Sequence, residues 1–326
     1  MLPPKAVRPL LKYFDSIDSC VARKLVRKRP WQEPALTSLL CDLMDADAQE
    51  DYILRRDLAW LNKRLSRAVP LLELRFDIDT HEYPSSVERY VTQSDLGLVV
   101  RYEDNVKPEL GWEAACLLQA KKLYLDSTGK YSLSSDFRAK DQKQRSRAEK
   151  VNKALDCELI RYLLYCPRPE DLDTSTAAIL RHLRDLNISK EIFDFTQGME
   201  LYANLLSRNP ILDAGLVVAP VSAVPKTLAQ TYEQMFSESL PWAWFLTFWL
   251  TGTSSCGAAH PLMEEMRSDR QPDIASRIVK GNPAAVRELL QQVGELDARD
   301  FRFMPANTVT ITASIGPNLE RDQTVQ

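Results

Sequence analysis

Six cysteines are scattered through 326 residues, at Cys20, Cys41, Cys116, Cys157, Cys166 and Cys256, and no two form a CxxC pair. Only three histidines accompany them, His81, His182 and His260. A structural zinc site needs clustered thiolates and imidazoles, so none is expected. Cysteines inside apolar runs, as in Ala114, Ala115, Cys116, Leu117 and Leu118, read as small core residues in a reducing compartment. The expected location is therefore cytoplasmic. Loops of the GxxxxGK[ST] and GxGxxG types are absent, which removes the expectation of a nucleotide cofactor. Ser254, Ser255, Cys256 and Gly257 match neither a nucleophile elbow nor a protease cysteine signature. Near the N-terminus no apolar stretch precedes a small-residue cleavage site, so no secretory signal is read. The most apolar run, Leu240 to Leu250, falls short of the roughly 20 residues needed to span a bilayer. It is expected to be a buried helix, with Trp242, Trp244 and Trp249 in a core or an interface, and no membrane contact. Glycine is scarce, at 10 residues, which excludes a collagen-like chain.

What is present is an ordinary globular balance, 44% hydrophobic and 27% charged, enough for a core without disulfides or metal staples. The net charge of −3 is not that of a strongly basic nucleic-acid binder. The charge is nevertheless uneven. Arg23, Lys24, Arg27, Lys28 and Arg29 form one basic cluster. Arg138, Lys140, Lys143, Arg145, Arg147, Lys150 and Lys153 form another. Each reads as a solvated helix face or as a phosphate contact.

Periodicity places helices over 1–29, from Pro34 at a first helical position, and over about 50–67. Apolar and polar residues then alternate from Leu71 to His81, the pattern of a half-buried strand. Asp95 to Tyr102 reads as a second strand and Trp112 to Lys121 as a third. A polar helix follows over 138–155, then a short buried strand over 158–166. The order predicts an α/β fold with a mixed sheet and helices on its faces. Later, helices are expected at 174–186, 193–207, 226–251, 259–268 and 283–295. Strands are expected within 212–224 and at 307–315, the second from its β-branched residues.

The chemistry concentrates in two places. Asp95 opens the second strand, and Gln119, Ala120 and Lys121 close the third. Side chains two apart on a strand share a face, so Gln119 and Lys121 point the same way. If the two strands pair, a carboxylate, an amide oxygen and an ammonium converge. Gly97 permits close approach by another backbone or a ligand. Phosphodiester hydrolysis uses such a set. A carboxylate holds Mg²⁺ (or Mn²⁺), a hard ion that prefers oxygen ligands, and a lysine orients the water or stabilises the transition state.

This pattern resembles the PD-(D/E)xK nuclease superfamily in its QxK, Mrr-like form. That family includes restriction endonucleases, Holliday-junction resolvases and anti-phage nucleases. The resemblance covers about residues 30–168 and rests on Asp95 and on Gln119, Ala120 and Lys121. It implies a restriction-endonuclease-like core of helix, three-stranded meander, helix and strand. It also implies a third metal ligand on the first core helix, for which Glu33 is the candidate, giving a metal set of Glu33, Asp95 and Gln119. Lys140, Lys143, Gln144, Arg145 and Arg147 on the basic helix lie where the family meets the DNA backbone. The implied function is a Mg²⁺-dependent DNA endonuclease, and the family's anti-phage members imply an effector role with a protein partner or as a homo-oligomer. Gln119 departs from the family's second carboxylate and leaves less negative charge to hold a cation. The alternative is therefore an inactive nuclease-fold protein that binds DNA or a partner.

Glu88, and Asp77, Asp79 and Glu82 on the first strand, are lesser acidic candidates. His81 is expected to be structural and Lys122 a surface lysine. The expected divisions are a basic helical segment (1–29), the nuclease-like core (30–168), a largely helical region with one or two further strands (169–316) and a flexible tail (317–326).

Overall fold

The computed structural model describes residues 2–68, 72–82, 95–138, 142–188, 195–251, 273–293, 305 and 307–317. Its centre is a seven-stranded mixed sheet in the order β1-β7-β2-β3-β4-β5-β6, with helices on both faces. The strands are β1 (Leu72–Glu82), β2 (Leu96–Asp104), β3 (Trp112–Lys122), β4 (Ile160–Tyr165), β5 (Leu216–Pro220), β6 (Leu240–Pro241) and β7 (Asn307–Pro317). The α/β class and the mixed sheet agree with the periodicity.

The meander does not close as expected. β7 lies between β1 and β2, antiparallel to the first and parallel to the second. Its Val309, Ile311, Ala313 and Ile315 are buried, and β-branched residues suit such a doubly paired position. A segment remote in sequence thus completes the middle of the sheet, across the boundary drawn at 168. β2 and β3 do pair antiparallel, with Leu96 opposite Leu118. β3 and β4 are parallel, joined by the helix α4 described below. The final nine residues, 318–326, lie outside the described residues, as does the helix expected over 259–268.

The N-terminal helix α1 (Pro4–Ala22) is not a separate basic arm. Ala6, Leu10, Leu11, Phe14, Ile17 and Val21 on it are fully buried. It ends before the basic residues, and Arg23 to Arg29 form turns and bends instead. Helix α2 (Glu33–Met44) begins with Pro34 in its first turn, where a missing N–H costs nothing. The helix expected over 50–67 is shorter. Asp57 accepts the Trp60 amide at 2.7 Å and caps α3 (Leu58–Leu65) at its start.

Helices α4 (Gln142–Leu155), α5 (Thr174–Ile188) and α6 (Phe195–Leu205) follow the periodicity closely. The long helix expected over 226–251 is broken. α7 (Leu228–Gln234) stops at a tight turn where Phe236 has φ +70°, and β6 ends on Pro241. Proline cannot continue a helix from the preceding turn, so α8 (Trp242–Thr251) starts afresh after it. Trp242, Trp244 and Trp249 are all buried on α8, within the core. α9 (Asp273–Val279) and α10 (Pro283–Val293) complete the described helices. Among the described residues, no helix is long and apolar enough to cross a membrane.

Side-chain alternation identifies the two faces. A Cβ on Gly97 would stand 3.1 Å from Val279, so that row of the sheet faces α9. Gly97 pairs with Leu117, and Leu117 with Ile160. Tyr165, five residues beyond Ile160, points to the opposite face and meets Thr37 of α2 at 3.0 Å. Thus α2 and α9 cover opposite faces, and the N-terminus of α2 arrives at the end of β3.

A candidate metal and phosphate site at the open edge of β3

β3 outruns β2. Leu118 is the last residue of β3 paired to β2, and Asp95 stands where β2 begins. Alternate amides on a strand point to the same edge, so the N–H groups of Ala120 and Lys122 face the place where β2 has ended. Both are satisfied by carboxylates. Asp95 Oδ2 accepts the Ala120 amide at 2.7 Å. Glu33 Oε2 accepts the Lys122 amide at 3.0 Å. Two acids from distant parts of the chain therefore replace the missing ladder partner. Amides two residues apart on a strand are roughly 7 Å apart, so the acids are neighbours.

The other expected residues are close by. Gln119 Nε2 donates to Asp95 Oδ2 at 2.6 Å. Lys121 Nζ lies 3.9 Å from Glu33 Oε1. The site is recessed: Gln119 is 6% exposed, and the side chains of Lys121 and Glu33 are 19% and 25% exposed. Burial raises the pKa of Glu33 above the usual value of 4.5, and the neighbouring Lys121 and the Lys122 amide pull it back only in part. The Tyr165 hydroxyl is buried beneath α2, and burial raises its pKa well above 10.0. It therefore stays protonated and holds Thr37 of α2 in place.

Four expected residues thus come together: Glu33, Asp95, Gln119 and Lys121. In a strand the carbonyl of a residue shares an edge with its own amide, so Ala120 turns its oxygen between the two acids. All available donors are oxygens, two of them carboxylates. That set suits a hard cation such as Mg²⁺, which takes one or two protein carboxylates and keeps waters or phosphate oxygens for the rest. Among the described residues there is no group of three or more His, Cys, Asp or Glu side chains placed to hold a metal. Any cation here relies on the amide and carbonyl oxygens to complete its shell.

Other expectations are corrected or displaced. Lys122 is no surface lysine. It is 5% exposed, and its Nζ lies 3.5 Å from the Trp31 carbonyl and 4.6 Å from the Tyr124 ring. Strand alternation turns it away from Lys121, and the segment before α2 covers it. Asp77 and Asp79 are exposed on the sheet's far strand, apart from the site. Glu88 and Lys140 lie outside the described residues, as do the side chains of His81, Glu82 and Lys143. On α4, Arg145 is engaged by Glu149 at 2.9 Å and by the Ser222 carbonyl at 3.1 Å. Gln144 and Arg147 lie on the same helix, with Arg147 exposed.

Periodicity missed the aromatic residues beside the acids. Trp31 and Tyr124 each hold two cations, and no motif announces them. The available signal was positional: the basic run 23–29 ends directly before Trp31 and Glu33.

Compared with known proteins, the chain matches no family model, no curated protein and no solved structure.

Proposed function

We propose that the chain is a metal-dependent nuclease that hydrolyses phosphodiester bonds in DNA, on a PD-(D/E)xK-like core. One observation carries this reading. Asp95 and Glu33 occupy alternate amides on a single strand edge, with Lys121 beside Glu33. Structural duty alone would be met by neutral acceptors there, whereas two acids concentrate negative charge at a recessed edge. Asp95, Glu33, Gln119 and the Ala120 carbonyl would hold the cation. Bound Mg²⁺ or Mn²⁺ would make a coordinated water more acidic and offset charge on the phosphate. Lys121, beside Glu33, would orient the attacking water and offset the charge developing on the phosphate. A cytoplasmic effector of anti-phage defence, with a protein partner or as a homo-oligomer, follows by analogy with the family resemblance alone.

Titration calorimetry with Mn²⁺ tests the site. The wild-type protein is expected to bind the ion, and Asp95→Asn and Glu33→Gln to weaken it at least about tenfold, since each removes a charged ligand. Equal binding by all three proteins would move the cation elsewhere.

The hydrogen bond from Gln119 to Asp95 favours a second reading, a nuclease-fold protein that binds DNA without cutting it. Here the amide N–H occupies the carboxylate oxygen that a cation takes in an active site. Metal binding without any cleavage would select this reading.

A further inference from the structure

Four cations crowd the end of β3 beside the acids, each held against an aromatic ring. Lys24 Nζ and Arg27 Cζ stand 5.0 and 5.8 Å from the centre of the Trp31 ring. Lys122 Nζ and Arg138 Cζ stand 4.6 and 4.4 Å from that of Tyr124. The two groups are joined. Lys122 reaches the Trp31 carbonyl at 3.5 Å, and the Tyr131 hydroxyl donates to the Leu25 carbonyl at 3.3 Å. The Trp31 amide closes the basic turn on the Lys24 carbonyl at 3.2 Å.

Arg56 and Arg64 flank the Trp60 ring in the same way, at 5.6 and 5.7 Å, but away from the acids, whereas several buried or half-buried arginines meet carboxylates. Arg101 pairs with Glu113, Arg168 with Asp15 and Asp18, and Arg181 and Arg184 with Asp213. Among the described residues, Lys24, Arg27, Lys122 and Arg138 form no such salt bridge. A ring holds a cation in place without neutralising it, since the ring carries no net charge. Positive charge so fixed outside any salt bridge draws an anion.

We infer that this ridge, with Lys24, Arg27 and Arg138 at its surface and Trp31, Tyr124 and the buried Lys122 behind them, grips the phosphate backbone of a nucleic-acid strand entering the site. The inference rests on the reading of Asp95 and Glu33 as a phosphodiester-cleaving pair, and it moves the grip from α4 to the turn before α2. Trp31 lies two residues before Glu33 and Tyr124 two residues after the end of β3, so both cation groups adjoin the acids in the chain. Such contacts position a strand without reading its sequence.

The test is anisotropy of a fluorescein-labelled DNA duplex and its single strand, in EDTA, across a salt series, with the full chain. Arg27 and Arg138 are exposed, so Arg27→Glu and Arg138→Glu leave the fold intact, as thermal melts will check. Each is expected to lower the salt slope by about one, and the double variant to bind about tenfold more weakly. Unchanged affinity and slope in both would overturn the inference. Loss confined to Arg145→Glu and Arg147→Glu would also overturn it, by placing the grip on α4. So would a wild-type protein that ignores DNA but holds polyglutamate, the mark of an acidic protein partner. DNA binding that depends on Arg27 and Arg138, without cleavage in Mg²⁺, upholds the ridge and removes only the hydrolytic reading.

Discussion

Gln119 Nε2 donates to Asp95 Oδ2 at 2.6 Å, so two residues expected to share a cation already hold one another. For the amide oxygen to reach a cation, the Gln119 side chain has to turn. Gln119→Glu removes that bond and sets a third acid against Asp95. Without metal, the like charges repel and lower the melting temperature. With Mn²⁺ the variant is expected to gain more stability than wild type, because an ion bound only by the fold stabilises it; a concentration of about 100 Kd contributes about 2.7 kcal/mol. Equal Mn²⁺-induced shifts in the two proteins would show that Gln119 does not adjoin the cation.

Glu33 provides a pH signature. Its native pKa is raised by burial, so it adds stability only while protonated. That contribution is full below the unfolded value and is lost as pH rises through the native one. Glu33→Gln keeps an oxygen for the Lys122 amide and carries no charge. It is expected to melt above wild type near pH 8 and level with it near pH 4, on the linkage argument. Metal-dependent activity should fall with decreasing pH through an ionisation above the usual 4.5, and vanish in the variant. A variant that melts below wild type at alkaline pH would mark Glu33 as a purely structural acid.

Gly97 should tolerate no side chain. An added Cβ would stand 2.7 Å from Pro305 and 3.1 Å from both Thr308 and Val279. Gly97→Ala is expected to cost about 1–3 kcal/mol, the usual range for overpacking. Urea denaturation measures it. A change below about 0.5 kcal/mol, the usual range of a surface substitution, would mean that the 305 segment and α9 pack loosely there.

Asp18 ties α1 to the other half of the chain. It accepts the Gly215 amide at 2.9 Å, the Leu216 amide at 2.7 Å and Arg168 at 2.7 Å, all in the core. Asp18→Ala leaves two buried amides without an acceptor and takes from Arg168 its most deeply buried carboxylate, with Asp15 remaining on it. The expected loss is about 3–5 kcal/mol, typical of breaking a buried ion pair. Retention of the wild-type urea midpoint would contradict this role.

β1 was legible because its burial repeats every two residues, as in Leu74, Phe76 and Ile78, whereas β2 to β5 were legible as short, continuously apolar runs. Asp95, Gln119 and Lys121 were legible because they stand at the ends of two apolar runs, while the pairing of β2 with β3 that brings them together is a tertiary outcome. Glu33 came from resemblance, and its bond to the Lys122 amide depends on how α2 lies across the sheet, which local sequence does not encode. β7 was legible as a strand but not as the neighbour of both β1 and β2, since register between remote segments is a tertiary outcome. The break between α7 and α8 hides in a run of good helix formers. Its visible sign was Pro241. Lys122 was misread because a terminal strand residue looks exposed until the segment from Leu25 to Trp31 is laid over it.

Incubation of the purified chain with supercoiled plasmid in Mg²⁺ or Mn²⁺ addresses the central claim, beside Asp95→Asn and Lys121→Ala. The account predicts nicking or linearisation by wild type that EDTA abolishes, with both variants reduced at least about a hundredfold, as for the loss of a group that stabilises a transition state. Cleavage at wild-type rate by both variants, or no cleavage by wild type with either ion, would contradict it.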